Sequence, residues 1–209
     1  MTHRTGLVLD FGGVLTTSLL PAVLNFEKRE GLTEGTCITA LYLDEGGSQR
    51  THALERGAIT QHQWNEAAAA QLGVAPANLM GRIFADLRPE PLMINAAAAA
   101  RRAGIKVAIL SNSVGRAPWN LYEGYDLDAL YDAVVISEDH GMRKPDPEIF
   151  RIALKLLELP AEQCVFVDDN PDYLPPAAGI GFMTVHAKAP QQTISQLEHF
   201  LGVPLTEEI

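Results

Sequence analysis

Only two cysteines, Cys37 and Cys164, occur in 209 residues. They could close at most one bridge, so no disulfide framework holds this chain together. Cys164 opens an apolar run and reads as a small buried residue. No CxxC pair or clustered Cys/His spacing suggests zinc. Long apolar stretches are also missing, and nothing approaches the ~18 residues of a membrane helix. The opening residues MTHRTGLVLDFGGV carry one Arg and a short apolar run broken by Asp10. That argues against a secretory signal and points to a reducing cytoplasm. Positive charge is scarce: 16 Lys and Arg face 26 Asp and Glu, for a formal net charge of -10. Without Lys/Arg runs, such a chain suits neither nucleic acid nor an anionic membrane surface. What remains is ordinary globular chemistry, 47% hydrophobic and 20% charged. At about 150 residues per domain, the length allows one to two domains.

Short apolar runs alternate with helical patterns. Residues 7–9, 106–110, 133–136, 164–167 and 181–185 read as strands buried on both faces, which implies a parallel sheet covered by helices. The intervening helices carry their own punctuation. Leu92 to Arg102 ends in two Arg with Gly104 beyond. Pro147 to Leu159 starts from an Asp146 cap with Pro147 at its first position. Pro175 to Ala178 stops at Gly179, and Gln191 to Leu201 closes the pattern. The alternation predicts a doubly wound, Rossmann-like α/β core.

One stretch does not alternate. Leu20 to Arg29, Thr36 to Leu43, Thr60 to Leu72 and Ala77 to Leu87 read as helices separated by Gly31, Gly46-Gly47, Gly57 and Gly73. This predicts an inserted helical cap over residues 17–88, leaving residues 1–16 and 89–209 for the core. The alanine runs at 67–70 and 96–100 are helix formers.

In a parallel sheet, ligands bind beyond the carboxyl ends of the strands. The residues there are Asp10, Ser111-Asn112 and Asp168-Asp169, with Lys144 in a loop after the third core strand. Taken singly, each is an ordinary turn or cap residue. Together they supply a carboxylate nucleophile, a hydroxyl, a cation and an acidic pair, which is the equipment for metal-assisted phosphoryl transfer. Adjacent carboxylates repel, so Asp168-Asp169 is a poor device for stability alone.

These motifs resemble the haloacid dehalogenase superfamily: Asp10-Phe11-Gly12-Gly13-Val14-Leu15-Thr16, Leu110-Ser111-Asn112, Gly141-Met142-Arg143-Lys144-Pro145-Asp146-Pro147 and Phe166-Val167-Asp168-Asp169-Asn170, in that order. Glu55-Arg56-Gly57-Ala58-Ile59-Thr60 with Trp64 is similar to the phosphatase domain of soluble epoxide hydrolases. The resemblance implies that Asp10 attacks phosphorus to form an aspartyl-phosphate. It implies that Ser111 and the N–H of Asn112 hold phosphoryl oxygens, and that Lys144 neutralises charge. Asp10, Asp169 and the carbonyl of Gly12 would bind Mg²⁺, with Asp168 bracing Lys144; oxygen donors suit that ion. The expected partner is a small phosphorylated metabolite.

Two positions depart from the family pattern. Family phosphatases usually place an acid/base Asp two residues after the nucleophile, where this chain has Gly12. Tyr173 stands where many members have an acidic or amide residue, with Asp172 one position early. His140 is a candidate replacement acid. Trp64 reads as packed within the cap, and Tyr42 and Arg50 are candidates for a substrate pocket. The reading is therefore a Mg²⁺-dependent phosphatase. A nearly inactive phospholigand-binding protein and a 2-haloacid dehalogenase stand as alternatives, and a phosphomutase is disfavoured by the missing carboxylate.

Overall fold

The computed structural model describes residues 3–206, so positions 1, 2 and 207–209 of the expected core lie outside the described residues. Five parallel strands form one sheet in the order β3-β2-β1-β4-β5: β1 Gly6–Leu9, β2 Lys106–Ser111, β3 Ala133–Ile136, β4 Cys164–Asp168 and β5 Met183–His186. Leu9 of β1 lies level with Ile109 of β2 and Val167 of β4. The order reverses at β1, because the chain fills β2 and β3 on one side and then β4 and β5 on the other. The crevice for a ligand therefore opens at the end of β1.

Both faces of the sheet are covered. Leu7, Leu9, Ile109 and Val167 point into one apolar cluster; Val8, Leu110 and Phe166 point into the other. Side chains alternate along a strand, so burial on both faces demands unbroken apolar runs, as these strands have.

Between β1 and β2 the chain forms α1 Leu19–Glu30, α2 Thr36–Ile38, a π-helical turn Thr39–Leu43, α3 Glu45–Glu55, α4 Gln61–Leu72, α5 Leu79–Ile83 and α6 Pro91–Arg102. The helices before α6 share an apolar cluster of their own that includes Phe26, Leu54 and the fully buried Trp64. The indole N–H of Trp64 donates to Thr51 Oγ1 at 3.2 Å. Two crossing segments meet at the base, where Thr17 N donates to Arg88 O at 2.8 Å and Glu90 N to Leu15 O at 2.8 Å. Beyond β2 come α7 Leu127–Leu130, α8 Pro147–Leu157, α9 Leu174–Ile180 and α10 Pro190–Leu201. Asp146 caps α8, its carboxylate accepting from Glu148 N at 3.0 Å.

Three local expectations need correction. Gly46-Gly47 does not separate helices; both lie in the first turn of α3. A Cβ at Gly47 would sit 1.8 Å from the carbonyl oxygen of Ala40, so the helix start can approach the preceding turn only without a side chain. The segment 36–43 is broken into α2 and the π-helical turn. Gly179 lies inside α9, and Gly181, with φ 117, ends it; β5 consequently starts at Met183. Cys37 and Cys164 are both buried and unpaired. Among the described residues, no helix is long and apolar enough to cross a membrane.

Candidate active site

The ends of β1, β2 and β4 bring Asp10, Ser111 and Asp168 to one edge of the sheet, and the loop before α8 delivers Lys144 to the same point. Lys144 is fully buried. Its Nζ lies 2.9 Å from Asp10 Oδ1 and 2.6 Å from Asp168 Oδ2. An ammonium without water must be held by anions, and here two carboxylates hold it. Burial penalises its charge, but Asp10 and Asp168 outweigh that and keep it above the ordinary lysine range.

Each carboxylate is oriented by more than this cation. Asp10 Oδ1 also accepts from Phe11 N at 2.7 Å. Asp168 Oδ1 accepts from Asn170 N at 2.9 Å. Burial pushes the Asp10 carboxyl up, with Lys144 opposing and Asp168 and Asp169 reinforcing the shift. Asp169 is pushed up to about 6 by burial and by its neighbour Asp168. Asp10, Asp168 and Asp169 can each aim an oxygen into one region, with those atoms within 4.8 Å of one another. Gly13, at φ +77, shapes this region: a Cβ there would lie 2.3 Å from Asp169 Oδ2. Three anionic oxygens around one cation suit a hard divalent ion, so the donor set fits Mg²⁺.

Ser111 is buried, and its Oγ accepts from the Tyr122 hydroxyl at 2.9 Å. Asn112 clasps the backbone of Lys144, with Nδ2 donating to Lys144 O at 3.2 Å and Oδ1 accepting from Lys144 N at 2.8 Å. Its side chain is thus engaged in fixing Lys144.

Tyr173 belongs to the same network. Its hydroxyl accepts from Arg143 Nη2 at 2.9 Å and from Asn112 Nδ2 at 3.3 Å. Arg143 in turn makes an ion pair with Glu55 at the end of α3. Ser137 Oγ donates to the backbone carbonyl of Glu55. Gln61 Nε2 donates to Val114 O at 2.7 Å and to Trp119 O at 3.0 Å. These bonds fix the inserted helices over the sheet edge.

The result is a cavity of about 450 Å³ lined by Asp10, Gly12, Ser111, Asn112, Lys144 and Asp169 at its floor, with Glu55 and Tyr42 from the insertion. Gly12 contributes no side chain, yet the nearest atoms to a Cβ there would be the methyls of Leu19 at 3.5 Å. Asp172 is exposed and outside the acid cluster. His140 and Arg50 do not line the cavity, and Trp64 is packed in the helical core. The Glu55–Arg143 pair, the Tyr122–Ser111 bond and the bracing by Tyr173 were not anticipated. The Glu55–Arg143 pair spans 88 positions and the Tyr122–Ser111 bond 11; the sequence marks Glu55, Arg143, Ser111 and Tyr173 singly, but nothing in it pairs them.

Comparison with known proteins agrees with this arrangement. Mouse "Acyl-CoA dehydrogenase family member 10" is 29% identical over 98% of this chain, which spans only 20% of that protein. "Sesquiterpene phosphatase astK" of Aspergillus oryzae is 28% identical over 93% of this chain and 95% of its own length. A haloacid-dehalogenase-family enzyme from Bacteroides thetaiotaomicron, solved with magnesium and inorganic phosphate, superposes with a TM-score of 0.66 at 20% identity, over 89% of this chain and 95% of that one. That likeness establishes the shared fold. The family of haloacid dehalogenase-like hydrolases is matched over residues 5–181, from β1 through the inserted helices to the end of α9, and the chain belongs to it.

Proposed function

We propose that this hydrolase is a Mg²⁺-dependent phosphatase of a small phosphate monoester, with residues 17–88 as the cap and residues 1–16 and 89–209 as the core. The observation that carries the reading is the buried ammonium of Lys144 between Asp10 and Asp168, with Asp169 alongside. Structural lysines are rarely fully buried. Among the described residues that line the cavity, Lys144 is the cation a dianionic phosphoryl group would meet.

In this reading an Asp10 oxygen attacks phosphorus. The P–O bond to the leaving group breaks and an aspartyl-phosphate forms. Water then cleaves that intermediate, releasing phosphate and restoring the Asp10 carboxylate. Lys144 neutralises charge on Asp10 and on the phosphoryl oxygens, and Asp168 holds Lys144 in place. Ser111 Oγ and the N–H of Asn112 accommodate phosphoryl oxygens; the Tyr122 hydroxyl donates to Ser111 Oγ, and the serine hydroxyl, whose Oγ lies 3.5 Å from the Asn112 carbonyl oxygen, turns its proton from that long contact to the substrate. Asp10, Asp169 and the Gly12 carbonyl would hold Mg²⁺, which when bound neutralises the acidic cluster and the transferring group.

Gly12 supports a second reading, a phospholigand-binding protein with little turnover, because no side chain there can protonate a leaving alkoxide. A 2-haloacid dehalogenase is disfavoured: its carbon-centred chemistry needs no cation, whereas three carboxylates converge here. A screen of phosphate esters with and without Mg²⁺ tests the proposal. Mg²⁺-dependent phosphate release supports it; binding of phosphate and Mg²⁺ without release favours the second reading.

A further inference from the structure

The upper part of the cavity is hydrocarbon. Leu19, Leu20 and Val23 of α1, Phe84 and Leu87 after α5, and Leu121 from the core side line it above the carboxylates. Two of the lining side chains are costly to leave bare. Leu20 is 51% exposed and Tyr42 is 44% exposed, both at this cleft. Exposed apolar side chains grouped around a cavity mark a ligand surface more often than scattered ones do.

Charge narrows the ligand further. Among the described residues lining the cavity, Lys144 is the sole cation, and it is engaged at the floor by Asp10 and Asp168. The carboxylate of Glu55 is matched by Arg143. No unpaired cation remains in the upper cavity to meet a second phosphate or a carboxylate, and the apolar wall has few partners for sugar hydroxyls. The polar side chains that line the cavity outside the floor are few, Ser18 and Tyr42 beside Glu55, Asn170 and Tyr173 that already have partners, so a polar leaving group lying against the hydrocarbon would lose water with little replacement.

We propose that the substrate is the phosphate monoester of an apolar alcohol with no second charged group, its hydrocarbon lying against Leu20, Val23, Phe84 and Leu87. This rests on the phosphatase reading above and specifies the leaving group. Burial of hydrocarbon gives the selectivity: each methylene that enters the cavity should tighten binding by up to about fourfold, until the space of about 450 Å³ is filled.

Calorimetry with n-alkylphosphonates from methyl to octyl, in Mg²⁺, tests this without turnover. Affinity should climb with chain length and then level off. Leu20→Ser, at an exposed position, should flatten the climb while leaving methylphosphonate binding unchanged. In parallel, 4-alkylphenyl phosphates hold leaving-group acidity nearly constant, and their kcat/KM should rise along the same series. Equal affinity for methyl and octyl phosphonates, or better turnover of phosphoserine or a sugar phosphate than of the long aryl esters, overturns the inference and leaves the phosphatase intact. Failure of every phosphonate and of inorganic phosphate to bind, with no ester hydrolysed, overturns the phosphatase reading itself.

Discussion

Gly12→Asp restores a carboxyl where the family usually has its acid/base, and the structure permits the change. The nearest atoms to a Cβ at Gly12 are the Leu19 methyls at 3.5 Å, an ordinary contact. Gly12 is absent from the residues with positive φ, so no backbone strain opposes a side chain. A general acid contributes about 10²–10⁴-fold. Against this stands repulsion, since the new carboxylate joins Asp10, Asp168 and Asp169 around a single ammonium. Two like charges about 4 Å apart oppose each other by about 4 kcal/mol at an effective dielectric of 20. Mg²⁺ offsets that, so the gain should appear only with the ion present and near the lower end, about 10²-fold. It should appear for alkyl phosphates, whose alkoxide needs a proton, and nearly vanish for p-nitrophenyl phosphate, whose phenolate leaves unaided. Burst and steady-state kinetics on both esters measure this, with Gly12→Asn as the control of equal size and no acidity. Equal alkyl rates in the Asp and Asn variants would refute the reasoning. So would native turnover of alkyl and aryl esters at one rate when phosphoryl transfer is limiting. The native acid would then have to be another group, and Glu55 is the carboxyl that lines the cavity besides Asp10 and Asp169.

Lys144→Met should abolish phosphate binding and destabilise the fold by about 3–5 kcal/mol, because Asp10 and Asp168 are left facing each other without their cation; thermal melts and phosphate titration check this, and an unchanged melting temperature would contradict it. Gly13→Ala should cost about 1–3 kcal/mol from its left-handed backbone and weaken Mg²⁺ by displacing the Asp169 carboxylate, whereas Gly12→Ala should do neither; paired denaturation and calorimetry compare them. Mg²⁺ affinity should fall on acidification through about pH 6, since burial has raised Asp169 to about 6 and a proton competes with the ion. Without metal the sign reverses for stability: the raised group favours the fold below the usual carboxylate range and loses that contribution as pH climbs through about 6. Melts in chelator and in Mg²⁺ across this range should therefore diverge as pH rises, and parallel curves would contradict the assignment.

The strand ends could be found in the sequence because burial on both faces forces unbroken apolar runs, and Asp10, Ser111 and Asp168 each terminate one. That places the carboxylates and the serine at the floor of the site, whereas Lys144 arrives from the loop before α8 and was legible only through the motif around it. Helix α3 did not announce itself, because Gly46 and Gly47 are weak helix formers and their reason is a close approach to Ala40 that no local pattern encodes. Helix α7 has four residues, too few to show a period. The Glu55–Arg143 pair spans 88 positions and joins two layers, so its partners become visible only when the insertion is folded over the sheet. The apolar wall has the same character: α1, the segment after α5 and the loop at Leu121 look like ordinary amphipathic surface until they face one another. Tyr173 was visible only as a departure from an acidic or amide position, and the hydrogen bonds from Arg143 and Asn112 explain what the phenol does there.

The most direct measurement is to capture the intermediate. An aryl phosphate mixed with the Mg²⁺-loaded protein in heavy-oxygen water, quenched in acid within a turnover and digested, allows peptide mass spectrometry to locate the phosphoryl group. Expected are a phosphoryl mass on Asp10, none in a folded Asp10→Asn variant that has lost turnover, and heavy oxygen in the released phosphate. A catalytically active Asp10→Asn variant, or heavy oxygen incorporated into the Asp10 carboxyl instead of the phosphate, would contradict attack by Asp10 on phosphorus followed by hydrolysis at phosphorus.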